Sequence, residues 1–273
     1  EQGFGDCIQF VRYVKLLAER GATCGLMVRP RLKKLLSGAP GVSHCVDAPG
    51  EAEFDFQVPM LSLPHLSGTS LATVPAETPY LFPDPERLSK WRSELAAGGL
   101  KVGVIWQGDP ASQSERGRSV PFEALLPLFD LPHMHFYLLQ AVHGREALEG
   151  RALPPHVTDL GARLDLGADA FVDTAAVMDQ LDVIVTSDTG PAHLAGALGC
   201  RTFLLLKKVP EWRYMLGRED SPWYPRMRLF RQDRAGVSTY INGSTKCFGD
   251  AIGGDVVMGR SDAAAGKHVI ISP

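Results

Sequence analysis

Several things are scarce in this chain, and each scarcity excludes a class. No stretch approaches the roughly 18 uninterrupted apolar residues of a membrane helix, so no membrane span is expected. The N-terminus has no charged segment followed by an apolar one, so no signal peptide is visible. Cysteine is sparse: Cys7, Cys24, Cys45, Cys200 and Cys247 are odd in number and lack CxxC spacing, which disfavours structural zinc and a disulfide framework. A reducing cytoplasm is the simplest compartment. Basic excess is also missing. The net charge is -3, and the densest basic run, Arg29 to Lys34, reads as the solvated start of a helix, so no nucleic-acid partner is expected. Among 273 residues, 45% are hydrophobic and 22% charged, which suits a soluble globular protein of one large or two ordinary domains.

What is present is a rhythm. From Cys7 to Arg20, Ile8, Val11, Val14, Leu17 and Ala18 recur at helical spacing, with Gly21 where a C-terminal cap belongs. Gly25 to Val28 predicts a short strand, Arg31 to Leu36 a helix, Val42 to Val46 a strand and Phe54 to Val58 another. The chain opens at Glu1-Gln2-Gly3-Phe4-Gly5-Asp6 with no strand before this Gly-rich turn, which reads as a fragment whose first strand lies upstream. Thr73 to Asp84 is Pro-rich and extended, and Pro85 to Ala97 predicts a helix ending at Gly98-Gly99.

The second half repeats the rhythm more clearly. Lys101 to Trp106, His135 to Gln140, Val157 to Leu160, Asp182 to Thr186 and Thr202 to Leu206 predict strands. Phe122 to Phe129, Thr174 to Leu181 (with Thr174 as its cap) and Pro191 to Leu198 predict helices. Such alternation predicts a doubly wound parallel sheet with ligands at the carboxyl ends of its strands. The boundaries expected are an N-terminal lobe over 1–84, a linker helix over 85–99, a C-terminal lobe over 100–235 and a tail over 236–273. The tail has no sustained period, and weak order is expected there.

One segment has a readable design: Asp182-Val-Ile-Val-Thr-Ser-Asp-Thr-Gly-Pro-Ala-His-Leu-Ala-Gly-Ala-Leu-Gly199. A buried strand delivers Ser187 and Asp188 to its end. Gly190 permits a tight turn, and Pro191 suits the first helical position, where its missing N–H costs nothing. The helix N-terminus then favours phosphate. A plain strand–turn–helix connection would look much the same. His193 is either a satisfied core residue or a donor to phosphate, and Asp188 either holds the turn or touches the ligand.

The pattern Asp188-Thr189-Gly190-x-x-His193-Leu194-x-x-Ala197-Leu198 resembles the donor-diphosphate motif of glycosyltransferase family 9, the ADP-heptose:LPS heptosyltransferases and their relatives. The resemblance implies an α/β, GT-B-like fold, with two Rossmann-type doubly wound parallel-sheet lobes and a cleft between them. It also implies a nucleotide-diphosphate-sugar donor resting on Asp188, Thr189, Gly190, Ala192 and His193, with no cofactor and no metal. The acceptor hydroxyl would be on a glycan, a lipid-linked molecule or a protein. Glu1-Gln2-Gly3-Phe4-Gly5-Asp6-Cys7-Ile8-Gln9-Phe10 resembles the opening of a subgroup in which the lobes follow tetratricopeptide repeats. The matching Asp in heptosyltransferases is taken as the general base on the acceptor. Carried over, that residue is Asp6, with Gly3, Gly5 and Gln9 as acceptor-side loop residues. The competing role for Asp6 is a helix N-cap.

In the resembling family the loop after Val102-Gly-Val-Ile-Trp-Gln-Gly108 faces the donor, which makes Gln107 and Arg118 candidates for phosphate. Gln140 ends another strand at the same edge and is a further candidate for binding the donor. The run Pro210 to Pro225, then Arg228 to Gln232, also matches the subgroup and either packs the C-terminal segment or stacks on a ligand, with Trp212 and Arg213 the residues to test. After residue 232 the likeness fails, as an altered or truncated reading frame would make it. The reading is sugar transfer from a nucleotide donor to an acceptor hydroxyl, metal-independent and inverting. Its alternatives are a non-catalytic nucleotide-sugar-binding or interaction protein and a GT-B nucleotide-sugar epimerase.

Overall fold

A computed structural model describes residues 3–46, 54–95, 98–112 and 115–232. The first predicted helix is divided into α1 (Phe4–Phe10) and α2 (Arg12–Ala18). The break has a local cause. Arg12 Nε donates to the Gln9 carbonyl at 2.8 Å, the acceptor an unbroken helix would offer to Tyr13. The rest of the buried guanidinium reaches the Pro75 and Trp223 carbonyls and the Tyr80 hydroxyl. One side chain thus ties the first helix pair to both later parts of the chain.

Strand β1 (Cys24–Met27), helix α3 (Pro30–Leu36) and strand β2 (Val42–Val46) follow, and the two strands pair in parallel. Phe54 to Val58 does not form the predicted strand. Phe56 is 91% exposed, and the Phe54 ring instead stacks on His44 at 6.0 Å and covers Gly25. The apolar run covers the strand pair with a side chain and adds no ladder. A short helix α4 (Leu63–Leu66) precedes the extended segment, whose Tyr80 and Leu81 amides donate to the Ala197 carbonyl. Helix α5 (Pro85–Arg92) starts at Asp84, whose side chain accepts the Glu86 and Arg87 amides. Ala96 and Ala97, the predicted end of this helix, lie outside the described residues, as do Glu1, Gln2 and the tail from 233 onward.

The second half forms one sheet from β3 (Leu100–Ile105), β4 (Met134–Leu138), β5 (Val157–Asp159), β6 (Val183–Ser187), β7 (Thr202–Leu206) and β8 (Met227–Arg231). All neighbours are parallel, in the order β5-β4-β3-β6-β7-β8. β6 and β7 are buried at every position, the signature of parallel strands covered on both faces. β8 was not predicted as a strand, because Arg228 and Arg231 interrupt its apolar pattern. Phe122 to Leu128 is a 3-10 helix and not the predicted α-helix, with Pro127 inside it removing a donor. Helix α6 (Val172–Met178) begins two residues earlier than predicted, and Thr174 is not its cap. Asp165 takes that role: it accepts the Asp173 amide at 2.7 Å and the Thr174 hydroxyl at 2.5 Å. Helix α7 (Gly190–Ala197) joins β6 to β7.

Strand order reverses between β3 and β6, so the loops leaving these two strands open a crevice at their carboxyl ends. No helix among the described residues is long and apolar enough to cross a membrane.

Candidate nucleotide-sugar site

The crevice is bordered by Trp106 to Arg118 after β3 and by Asp188 to His193 after β6. Thr189 is the N-cap of α7 in extended conformation, but its hydroxyl turns back to the Ser187 carbonyl at 3.3 Å and caps nothing. The first turn of α7 is therefore left without a side-chain cap, with the positive end of its dipole at the crevice. Around it lie polar atoms that are buried and unpartnered among the described residues: Ser187 Oγ, the Tyr214 hydroxyl and Arg213 Nε. Buried polar groups are nearly always paired, which sets this cluster apart from the core around it.

Asp188 is buried, and loss of water raises its pKa from 3.8 to about 6; Arg118 opposes the rise and Glu211 adds to it. The Tyr214 hydroxyl lies near enough to lower that value, yet it makes no hydrogen bond of good geometry. Among the described residues Asp188 accepts no backbone N–H, so it does not hold the turn by that means.

His193 is also buried. Its Nδ1 bonds the Tyr224 hydroxyl at 2.9 Å, and its ring stacks on Tyr214 at 6.5 Å. Desolvation first, then Arg213, Arg12 and Arg118, hold its pKa well below the ordinary 6.5, so it stays neutral. The other edge of the ring faces the first loop: a Cβ on Gly5 would lie 2.7 Å from His193 Cδ2 and 3.3 Å from the Gly190 Cα. Two glycines thus let the first loop and the β6–α7 turn meet backbone to backbone. Ala192, fully buried, belongs to the α7 packing face.

Gly3 is the N-cap of α1, and Asp6 occupies the third helical position, not the N-cap. Its Oδ2 accepts the Gly3 amide at 2.9 Å and its Oδ1 pairs with Arg213 Nη2 at 2.5 Å. Arg213 also pairs with Glu211 at 2.9 Å and lies over the rings of Phe10 and Trp212. Gln9, one turn beyond Gly5, is fully buried with both amide atoms unpartnered among the described residues.

On the β3 side, Arg118 pairs with Glu115 through Nε and Nη2 at 3.2 and 3.1 Å. Gly108 links this loop to the turn: its Cβ position lies 2.9 Å from Arg118 Nη2 and 3.0 Å from Thr189 Cγ2. An open cavity of about 710 Å³ lies against the loop, lined by Pro110, Ser112, Glu115, Arg116, Gly117 and Ser119. Its lining does not include the Thr189 turn, and the site is placed by the turn's chemistry rather than by cavity size.

Gln140 is a correction. Its Oε1 accepts the Trp106 and Gln107 amides at 3.0 Å each, and its Nε2 donates to the Gln107 carbonyl at 2.8 Å and the His143 carbonyl at 2.5 Å. With all four bonds made to backbone, it fixes where β3 releases the Gln107 loop, and a phosphate would have to displace one of them. Tyr214, Glu211 and Tyr224 also face this region and were not singled out from sequence. The signal was present for Tyr214, beside Trp212 and Arg213.

No three His, Cys, Asp or Glu side chains come together among the described residues in a way that would hold a metal ion. No family model matches the chain. Protein FlbA of Caulobacter vibrioides is 30% identical over 184 residues, which are 64% of this chain and 29% of that protein, so the chain spans less than a third of its relative. Solved structures match nearly throughout. The ADP-heptose LPS heptosyltransferase II of E. coli superposes with a TM-score of 0.67 at 14% identity, covering 95% of this chain and 98% of that one. A family 9 glycosyl transferase from Veillonella parvula gives 0.58 at 11%, over 90% and 87%. E. coli heptosyltransferase WaaC with ADP gives 0.52 at 10%, over 90% and 97%. These likenesses establish the fold, which is that of the family 9 glycosyltransferases.

Proposed function

We propose, for a chain that shares its fold with family 9 glycosyltransferases, that it transfers a sugar from a nucleotide-diphosphate donor to an acceptor hydroxyl. The observation that carries this reading is the uncapped α7 N-terminus at the β3/β6 switch point, ringed by the unpartnered Ser187, Tyr214 and Arg213 atoms. The donor's diphosphate would rest on Thr189, Gly190 and Ala192, with Arg118 or Arg213 turned onto it. His193, neutral and tied to Tyr224, serves in this reading to hold α7 against the first loop more than to donate to phosphate. Asp6 is the base: it takes the acceptor proton as the acceptor oxygen attacks the anomeric carbon. The transfer is metal-independent and inverting in this reading, with the α7 dipole and an arginine stabilising the leaving diphosphate. The acceptor is a glycan, a lipid-linked molecule or a protein.

A non-catalytic nucleotide-sugar-binding protein is the second reading, favoured by the engagement of Asp6 with Gly3 and Arg213. The separating experiment offers ADP-, UDP-, GDP- and dTDP-sugars with a panel of sugar acceptors and follows free nucleotide. Transfer predicts nucleotide release that needs acceptor and falls by roughly a hundredfold or more in Asp6→Asn, with donor binding retained. Saturable donor binding without any release, across the panel, would favour the second reading.

A further inference from the structure

Both arginines that border the β6–α7 turn are already occupied by carboxylates: Arg118 by Glu115, and Arg213 by Asp6 and Glu211. Arg213 is the more telling of the two. It reaches across from the C-terminal half to the first loop, pairs there with the candidate base, and still keeps Nε buried and unpartnered among the described residues. A guanidinium binds the paired oxygens of a carboxylate and of a phosphate with the same fork geometry. The two anions are therefore rivals for one cation.

We propose that Asp6 and the donor diphosphate compete for Arg213. Without donor, Arg213 holds Asp6; when donor binds, Arg213 swings onto the diphosphate and releases the Asp6 carboxylate to the acceptor. The inference rests on the reading of Asp6 as base and of the β6–α7 turn as donor site. It adds an order of events. While Asp6 accepts from Gly3 and Arg213, each of its oxygens already holds a donor and one faces a guanidinium, so an acceptor or a water arriving first meets a carboxylate turned onto Arg213. Once donor has drawn Arg213 away, the acceptor oxygen bonds to the anomeric carbon and its proton passes to Asp6. The bond from that carbon to the phosphate oxygen breaks, and the electron pair leaves with the nucleoside diphosphate.

Competition has a sign that a merely structural ion pair lacks. Removing the rival carboxylate must strengthen nucleotide binding. The test is calorimetric titration of the full chain with ADP and with UDP, on samples shown folded by thermal melting. Asp6→Asn, close to isosteric, is expected to bind roughly fivefold tighter than the native chain, and Arg213→Gln roughly tenfold or more weaker. Arg213→Lys should recover part of the loss. On the Arg213→Gln background, Asp6→Asn should change nothing, since the contested cation is gone. Unchanged or weaker binding by Asp6→Asn overturns the exchange even if Arg213→Gln never folds. If neither nucleotide binds the native chain, the donor-site reading itself fails, a different result from a site that binds but shows no competition.

Discussion

The two sheets of this molecule are built on opposite terms. In the six-stranded sheet, β6 and β7 are buried at every position, fastened by Val183, Ile184, Phe203 and Leu204. The two-stranded sheet of β1 and β2 is mostly half-exposed. Yet the later part of α1 is well buried, with Ile8 and Gln9 fully covered and Gly5 against α7. The first loop thus draws its order from the larger half.

The sharpest way to break this contrast is to cut each sheet once. Phe203→Ala in β7 should cost about 3–5 kcal/mol in urea unfolding, the usual toll for emptying an aromatic core site. Val42→Ala in β2, half-buried, should cost about 1 kcal/mol or less. Equal losses would remove the distinction.

Next in size is Asp188. Its folded-state pKa of about 6 lies above the unfolded 3.8, so the protonated acid contributes stability that is full below about 4 and lost as pH rises through about 6. Asp188→Asn should therefore leave stability unchanged near pH 4 and raise it at pH 8, by on the order of 2–3 kcal/mol. A gain independent of pH would mean the carboxylate is not buried as described. Gly5→Ala comes third. A Cβ against His193 and Gly190 should cost about 1–3 kcal/mol and loosen the first loop, read as faster hydrogen exchange in α1 than in β6. Uniform exchange across both elements would show that the first loop does not depend on α7.

Much of the scaffold was legible in sequence because parallel strands declare themselves. Val42 to Val46 and Thr202 to Leu206 stand where their apolar runs predicted, and the β6–α7 turn follows from Asp188-Thr-Gly-Pro. What was hidden depended on partners distant in sequence. The break at Val11 comes from Arg12 reaching Pro75 and Trp223, and the cap of α6 comes from Asp165. Gln140 looked like a ligand because its strand ends at the right edge, but spacing does not reveal that four backbone groups already claim its amide. The contact of Asp6 with Arg213 joins residues 207 apart in the chain, and no local pattern announces it.

The most direct test of the account is a crystal structure of the full chain soaked with ADP or UDP. The account predicts the diphosphate on the first turn of α7, within hydrogen-bond reach of the Gly190 and Ala192 region, with Arg213 turned away from Asp6. A nucleotide bound elsewhere, with the β6–α7 turn empty and the Asp6–Arg213 pair intact, would contradict it.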